Sequence, residues 1–392
     1  MDGYPAPARR DLWSERSLVG SLYRLGTMWL FGVVPAFVFV SGLVVAITST
    51  DYAFDFKQFW TGAHAVVHGH SPYPAHQLLE TSSDSLGPVG IQHVFRFPYP
   101  AITAVALTPF GALPFQIAAA IEVSLLVVAV VAGLWIVGVR DWRIYGVVFA
   151  TVTVESAVRL GTLTPVLLLL LAVGWRYRDR RWVAASALAL AIVSKLFLWP
   201  LVLWLAATRR YAAAALSAGL AVVLVLVGWA VIGFDGMTSY PELVRRLNDV
   251  VGERGYSLVA FGSQSGLTSR TSTLLPLAVG LPVLALCVLV ARRRGGDANA
   301  FSVALLASLL LTPIVWNHYF VLLLLPLAIA WPRLSWAWLL PLLYWIVPFQ
   351  ENEGALWRVV FGLGLAVTTV AVCAMGERSL GERTARPIEA TA

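Results

Sequence analysis

MWLFGVVPAFVFVSGLVVAIT, Met28 to Thr48, runs almost at once into DYAFDFKQFWTGAHAVVHGHSPY, Asp51 to Tyr73, and the reading of this pair decides the fold. The first stretch is apolar throughout and long enough to cross a bilayer, for which about 20 helical residues suffice. It is too long for a signal peptide and lacks a small-residue cleavage site. Arg9, Arg10, Arg16 and Arg24 precede it and almost no cation follows, so the positive-inside rule places the N-terminus in the cytoplasm and the second stretch outside. From Phe56 onward that second stretch repeats Phe, Trp, Ala and Val at steps of three and four, the pattern of an amphipathic helix lying along the membrane surface. Gly69, Ser71, Pro72 and Tyr73 stop it. Asp51 and Asp55 then stand within a turn of the bilayer, where a carboxylate beside an apolar groove suits a base acting on a lipid-borne substrate.

The rest of the chain repeats the membrane signal. Of 392 residues 59% are hydrophobic and only 12% charged, with a mean hydropathy of +0.77, whereas a soluble globular protein is about 25% charged. The net charge of +7 comes almost wholly from arginine, Lys57 and Lys195 being the only lysines. No basic face with interleaved aromatics stands apart from the membrane flanks, which excludes a nucleic-acid partner. Cys287 and Cys373 lie inside apolar runs, where a thiol behaves as a small hydrophobe. Arg140 and Arg143, the RYRDRR block from Arg176 to Arg181, Arg209 with Arg210, and Arg292 to Arg294 mark cytoplasmic turns. These marks predict an all-α polytopic membrane protein of about 12 spans. A cytoplasmic tail covers residues 1–27, one transmembrane domain 28–376 and a second cytoplasmic tail 377–392. Outward loops fall at about 50–98 and 233–270 and carry short interfacial helices. The segment 99–111 is read as re-entrant or wrongly split.

Charge at membrane depth is expensive, about 2.5 to 3.5 kcal/mol at a helix centre, so the few ionisable residues there are informative. Glu122 lies beside a helix start and reads as a near-surface residue. Glu155 and Arg159 are four apart, which suits either mutual neutralisation or a polar site. Between 144 and 207 the apolar pieces are short and interrupted by Arg159, Gly161, Pro165, Lys195 and Pro200; broken helices of this kind line cavities. Lys195 has no partner nearby in sequence. His318 follows the break at Pro313, on the side of Asp55 by the same topology; an aromatic-belt position beside Trp316 and Tyr319 is the plainer alternative. His64 and His68 have the spacing of a helical metal pair, but further ligands at defined spacing are not evident, so no metal is expected. No cofactor is expected either.

Six motifs in order resemble glycosyltransferase family 87: DFKQFWTGAHAVVHGHSPY from Asp55, FPYP from Phe97 to Pro100, GTLTP from Gly161, SKLFLWPLVLWLAATRR around Lys195, GSQSGLTSR ending at Arg270, and TPIVWNHYFVLLLLP around His318. The resemblance implies a GT-C-like bundle and a polyprenyl-phosphate-sugar-dependent hexosyltransferase, mannosyltransferase-like, at the cell membrane with its active site facing outward. It implies Asp55 as the catalytic residue and a glycolipid or glycan acceptor beside the lipid-linked donor. Lys195, Arg270 and His318 are then the groups that meet the donor phosphate. Asp51, Tyr99, Arg159 and Gln264 complete the substrate-binding candidates. Where the family pattern has a GQ-N break and YPP, this chain has Gly161-Thr162 and Phe97-Pro98-Tyr99-Pro100. A secondary transporter or a lipid-carrier-binding protein is the rival reading, although a transporter commonly carries internal repeats and none is visible.

Overall fold

The computed structural model describes residues 12–47, 52–73, 97–347 and 355–385, and every regular element among them is helical. Five helices have the length and composition of a full span: Gly20–Val45, Phe115–Ile136, Tyr211–Val231, Ser269–Ala291 and Leu356–Gly376. A sixth is obtained if Val152–Arg159 and Thr164–Arg176, bent by 113° at the break between them, count as one. Against the expected dozen, much of the remaining apolar length lies in five shorter helices, including Arg181–Ser194, Asp297–Leu311 and Asn317–Ala330. At 1.5 Å per residue these fall short of a bilayer core of about 30 Å. Each buries one side against its neighbours in the main core cluster.

The first helix extends forward of the apolar run. Helix begins at Leu12, inside the segment read as a tail, and runs through a π-helical turn at Trp29–Val33 into Val34–Ile47. Nothing there breaks a helix before Pro35, so no residue marks where tail becomes span.

Both long loops carry short helices, and they meet. The first has Phe54–Val67, the second Tyr240–Val251 and Leu258–Gln264. Phe56, Phe59, Gly62 and Ala63 bury one face of the Phe54–Val67 helix, the i, i+3, i+7 stripe expected of an amphipathic segment. Opposite that face are the two short helices of segment 99–111, Ala101–Ala106 and Thr108–Gly111, neither long enough to cross. Trp60 Nε1 donates to the Leu113 carbonyl at 3.0 Å, and His64 Nδ1 pairs with the Gly111 carbonyl at 2.9 Å. Gly111 permits that approach, because a Cβ there would lie 2.5 Å from the Ala63 carbonyl carbon. Tyr73, Trp229 and Tyr240 join the loops through ring contacts of 5.1 to 5.6 Å, and Tyr240 Oη donates to the Pro98 carbonyl at 3.2 Å.

The arginine turns gather at the other end. Thr164–Arg176 spans 13 residues, about 20 Å, between the Gly161 break and the RYRDRR block. There Asp297 receives Arg178 Nε at 2.7 Å and two Arg210 nitrogens at 2.9 and 3.0 Å. Arg210 also reaches Asp179 at 2.8 Å.

Candidate active site

The first turn of the Phe54–Val67 helix is docked head to tail on another helix end. A helix leaves its first N–H groups and its last carbonyls without internal partners. Here the two sets satisfy each other: Ala53 N–H donates to Arg159 O at 2.8 Å, and the N–H groups of Asp55 and Phe56 donate to Leu160 O at 2.9 and 3.2 Å. Ala53 adopts a left-handed conformation, φ 52°, to make the entry, a posture costly for a residue with a Cβ. Gly161, at φ +68°, turns the accepting chain away, and a Cβ there would meet Phe56 Cβ at 2.5 Å. Asp55 is thereby fixed on rigid backbone at a helix N-terminus, where the macrodipole favours its anion.

Around that carboxylate stand residues from distant parts of the chain. Lys195 occupies the gap between Arg181–Ser194 and a three-residue 3-10 turn, in extended backbone, and is 6% exposed. Its Nζ lies 4.0 Å from the centroid of the Tyr319 ring. His318, 3% exposed, comes from the 3-10 segment Asn317–Leu323. Its Nε2 is 4.0 Å from Asp55 Oδ2 and makes no hydrogen bond. Burial pushes the Asp55 carboxyl up to about 6, and the nearby Lys195 ammonium opposes that rise. Tyr99 packs on Phe59 at 4.2 Å and lies within electrostatic reach of Asp55.

The remaining sequence candidates separate. Arg159 pairs with Glu155, Nε to Oε1 3.0 Å, and the pair sits beneath the junction that carries Asp55. Gln264 and Arg270 are exposed, and no hydrogen bond or ion pair among the described residues joins them to Asp55, Lys195 or His318. Asp51 lies outside the described residues, as do His76 and His93. Glu122 is 3% exposed within the span Phe115–Ile136, not near the surface as its helix-start position suggested, and its Oε1 has no partner. The His64 and His68 rings lie 4.1 Å apart, tilted by 52°, and both turn Nδ1 to backbone carbonyls. Among the described residues no group of three or more metal-ligating side chains occurs.

The sequence model of glycosyltransferase family 87 matches residues 97–326, more than half of the chain. The chain belongs to glycosyltransferase family 87. Within the family 87 match lie Lys195, His318 and Tyr319, while the Asp55 helix precedes it. Two relatives from Mycolicibacterium smegmatis extend the similarity. A polyprenol-phosphate-mannose-dependent alpha-(1-2)-phosphatidylinositol pentamannoside mannosyltransferase is 28% identical over 308 residues, covering 70% of this chain and 67% of its own. A polyprenol-phosphate-mannose-dependent alpha-(1-2)-phosphatidylinositol mannoside mannosyltransferase is 24% identical over 353 residues, covering 81% and 75%. No solved structure matches. The family 87 chain is thus a membrane glycosyltransferase.

The residues that reading the sequence missed are Tyr319 and Phe197, whose rings stack at 5.1 Å with planes 8° apart beside Lys195. Tyr319 was legible only as a belt aromatic. Its contact with Lys195 depends on the 3-10 turn after Trp316, which no spacing rule announces.

Proposed function

We propose that this protein transfers a hexose, in the first instance mannose, from a polyprenyl-phosphate donor to a hydroxyl of a glycolipid or glycan acceptor at the outer face of the cell membrane. The observation that carries the reading is the convergence of a partly buried carboxylate, an ammonium and an imidazole, from three separate breaks in the helices, at one end of the molecule. Mannose and the lipid carrier are what the two relatives' names specify.

The chemistry follows from the charges. A sugar 1-phosphodiester already carries its leaving group, so the protein must take a proton from the acceptor and receive an anion. Asp55 takes the proton. A hydroxyl oxygen within about 2.8 Å of both Asp55 Oδ2 and His318 Nε2 fits the 4.0 Å gap between those atoms. The acceptor oxygen then bonds to the anomeric carbon as the bond from that carbon to the phosphate oxygen breaks, the electron pair leaving with polyprenyl phosphate. Lys195 faces the departing phosphate, where a fixed cation is worth more than in water. One displacement inverts the anomeric centre. General-base help from Asp55 contributes about 10² to 10⁴-fold.

Purified protein in nanodiscs, given β-linked polyprenyl-phosphate mannose and a membrane glycolipid extract, should release polyprenyl phosphate and yield an α-mannosylated product by mass spectrometry and linkage analysis. Donor consumption without a glycosidic product, or a β-product, would contradict the reading.

A further inference from the structure

Lys195 presents a problem that the transfer chemistry alone does not solve. Its side chain has four rotatable bonds and ends in a strongly hydrated ammonium, yet it is almost wholly buried. Among the described residues no carboxylate lies within ion-pair distance of it; Asp55 acts on it only from farther off. A long lysine without a partner in an apolar setting turns its head toward water. Something must hold it at the site while no phosphate is bound.

The face of Tyr319 is in that place. Nζ stands over the ring, 4.0 Å from its centroid, within the range where the ring quadrupole attracts a cation, an attraction that grows when water is excluded. The ring is itself held on more than one side. Phe197, two residues beyond Lys195, stacks on it at 5.1 Å, and His318 meets it edge-on at 5.0 Å. The Lys195 break therefore grips Tyr319 with two of its residues, while Tyr319 is the chain neighbour of the imidazole that faces Asp55. One ring sets the spacing between cation and base.

We propose that Tyr319 is a positioning residue that holds the Lys195 ammonium, through its ring face, at the phosphate-facing edge of the Asp55 site. This deepens the transferase reading and rests on it. Tyr319 touches neither reacting atom; it acts through Lys195. The ring, and not the phenol hydroxyl, carries the role, so phenylalanine should serve nearly as well and leucine should not.

The test has one arm that needs no turnover. Because Lys57 and Lys195 are the only lysines, selective ¹³C-lysine labelling of the full chain in nanodiscs gives two side-chain signals, assigned by Lys195→Met. The Lys195 ε-methylene should resonate upfield from the ring current, keep that position in Tyr319→Phe and lose it in Tyr319→Leu. The second arm measures donor KM and the pH profile of kcat/KM with polyprenyl-phosphate mannose. Besides Lys195, the groups facing Asp55 are His318, Tyr99 and Tyr319, with the Glu155–Arg159 pair at the junction below. Tyr319→Leu removes the ring face under Lys195 and with it the ring contacts to Phe197 and His318. Donor KM should rise about tenfold or more, and the acid limb should move to higher pH because the ammonium no longer opposes the burial of Asp55. Tyr319→Phe should stay within about threefold of the parent. A Lys195 signal with no upfield shift in the parent protein overturns the proposal even if no sugar is transferred. A lost shift with unchanged donor KM and acid limb overturns it as well, whatever happens to the melting temperature. Absence of transfer by the parent protein, with the shift present, defeats the transferase reading and with it the role given to the ring.

Discussion

The two ends of the molecule treat charge in opposite ways. At the far end Asp297 is fully matched: its carboxylate accepts from Arg178, from Arg210 and from Trp204 Nε1 at 3.0 Å, and Arg178 also lies over the Trp175 ring. At the Asp55 end charges of both signs are brought near and then kept apart. Asp55 and His318 stop at 4.0 Å, His318 Nε2 makes no hydrogen bond, and Lys195 leans on an aromatic face. A matched network needs nothing further and fixes the helices it joins. An unmatched one costs stability, since buried polar groups without partners forfeit their hydration, and it persists where a substrate supplies the missing partner. The difference separates scaffold from site.

The comparison is broken or sharpened by substitutions at either end. Apart from the loss of Asp55 itself, the largest effect is expected from Lys195→Met. Removing a buried cation with no ion-pair partner should leave the melting temperature equal or higher, while weakening binding of polyprenyl-phosphate mannose about tenfold or more and lowering turnover with it. Titration of donor binding in nanodiscs, with melting followed in parallel, decides this; unchanged binding with a lower melting temperature would move Lys195 to the scaffold side.

Next is the dependence on pH. Asp55 must be ionised to accept a proton, and burial raises its carboxyl to about 6 against the pull of Lys195. The value of kcat/KM should therefore fall about tenfold per unit below pH 6, and the limb should shift upward in Lys195→Met. A limb near 4, the ordinary carboxylate range, would show that Asp55 is not held as described.

The smallest effect is structural. Gly161→Ala places a Cβ against Phe56 at a positive φ, and should cost about 1 kcal/mol or more of stability. Because the Asp55 helix hangs on the neighbouring Leu160 carbonyl, turnover should fall by more than the loss of folded protein explains. Loss of stability alone would show that the junction does not orient the carboxylate.

Much of this arrangement is legible in the residues. The stripe of Phe56, Phe59 and Ala63 announces the surface helix, and Gly69, at φ +74°, ends it. Gly161, Lys195 and Pro200 announce the broken helices, because glycine, charge and proline each interrupt an apolar run for a known reason. The break at Pro313 draws attention to His318. What escaped notice lies in the backbone and in contacts between distant segments. The left-handed Ala53 and the carbonyls that receive its helix have no side-chain signature, and Tyr319 looks like any aromatic near a membrane. Arg270 and Gln264, grouped with the site through a motif, are exposed in the structure, since a motif in sequence order does not say which way its side chains turn.

The measurement that tests the account most directly sets Asp55→Asn beside Asp297→Asn, recording turnover and melting temperature of each in the same nanodiscs. A carboxyl raised in the folded state is ionised at a cost above about pH 6, so at pH 7 Asp55→Asn should melt at the same temperature or higher while losing at least about 10²-fold in turnover. Asp297→Asn should lose about 1–3 kcal/mol of stability, as Arg178 loses its counter-charge and Arg210 one of its two, and keep the turnover of whatever remains folded. If instead Asp55→Asn retains turnover, or Asp297→Asn abolishes it without unfolding, the division of the molecule into a matched scaffold and an unmatched site is wrong.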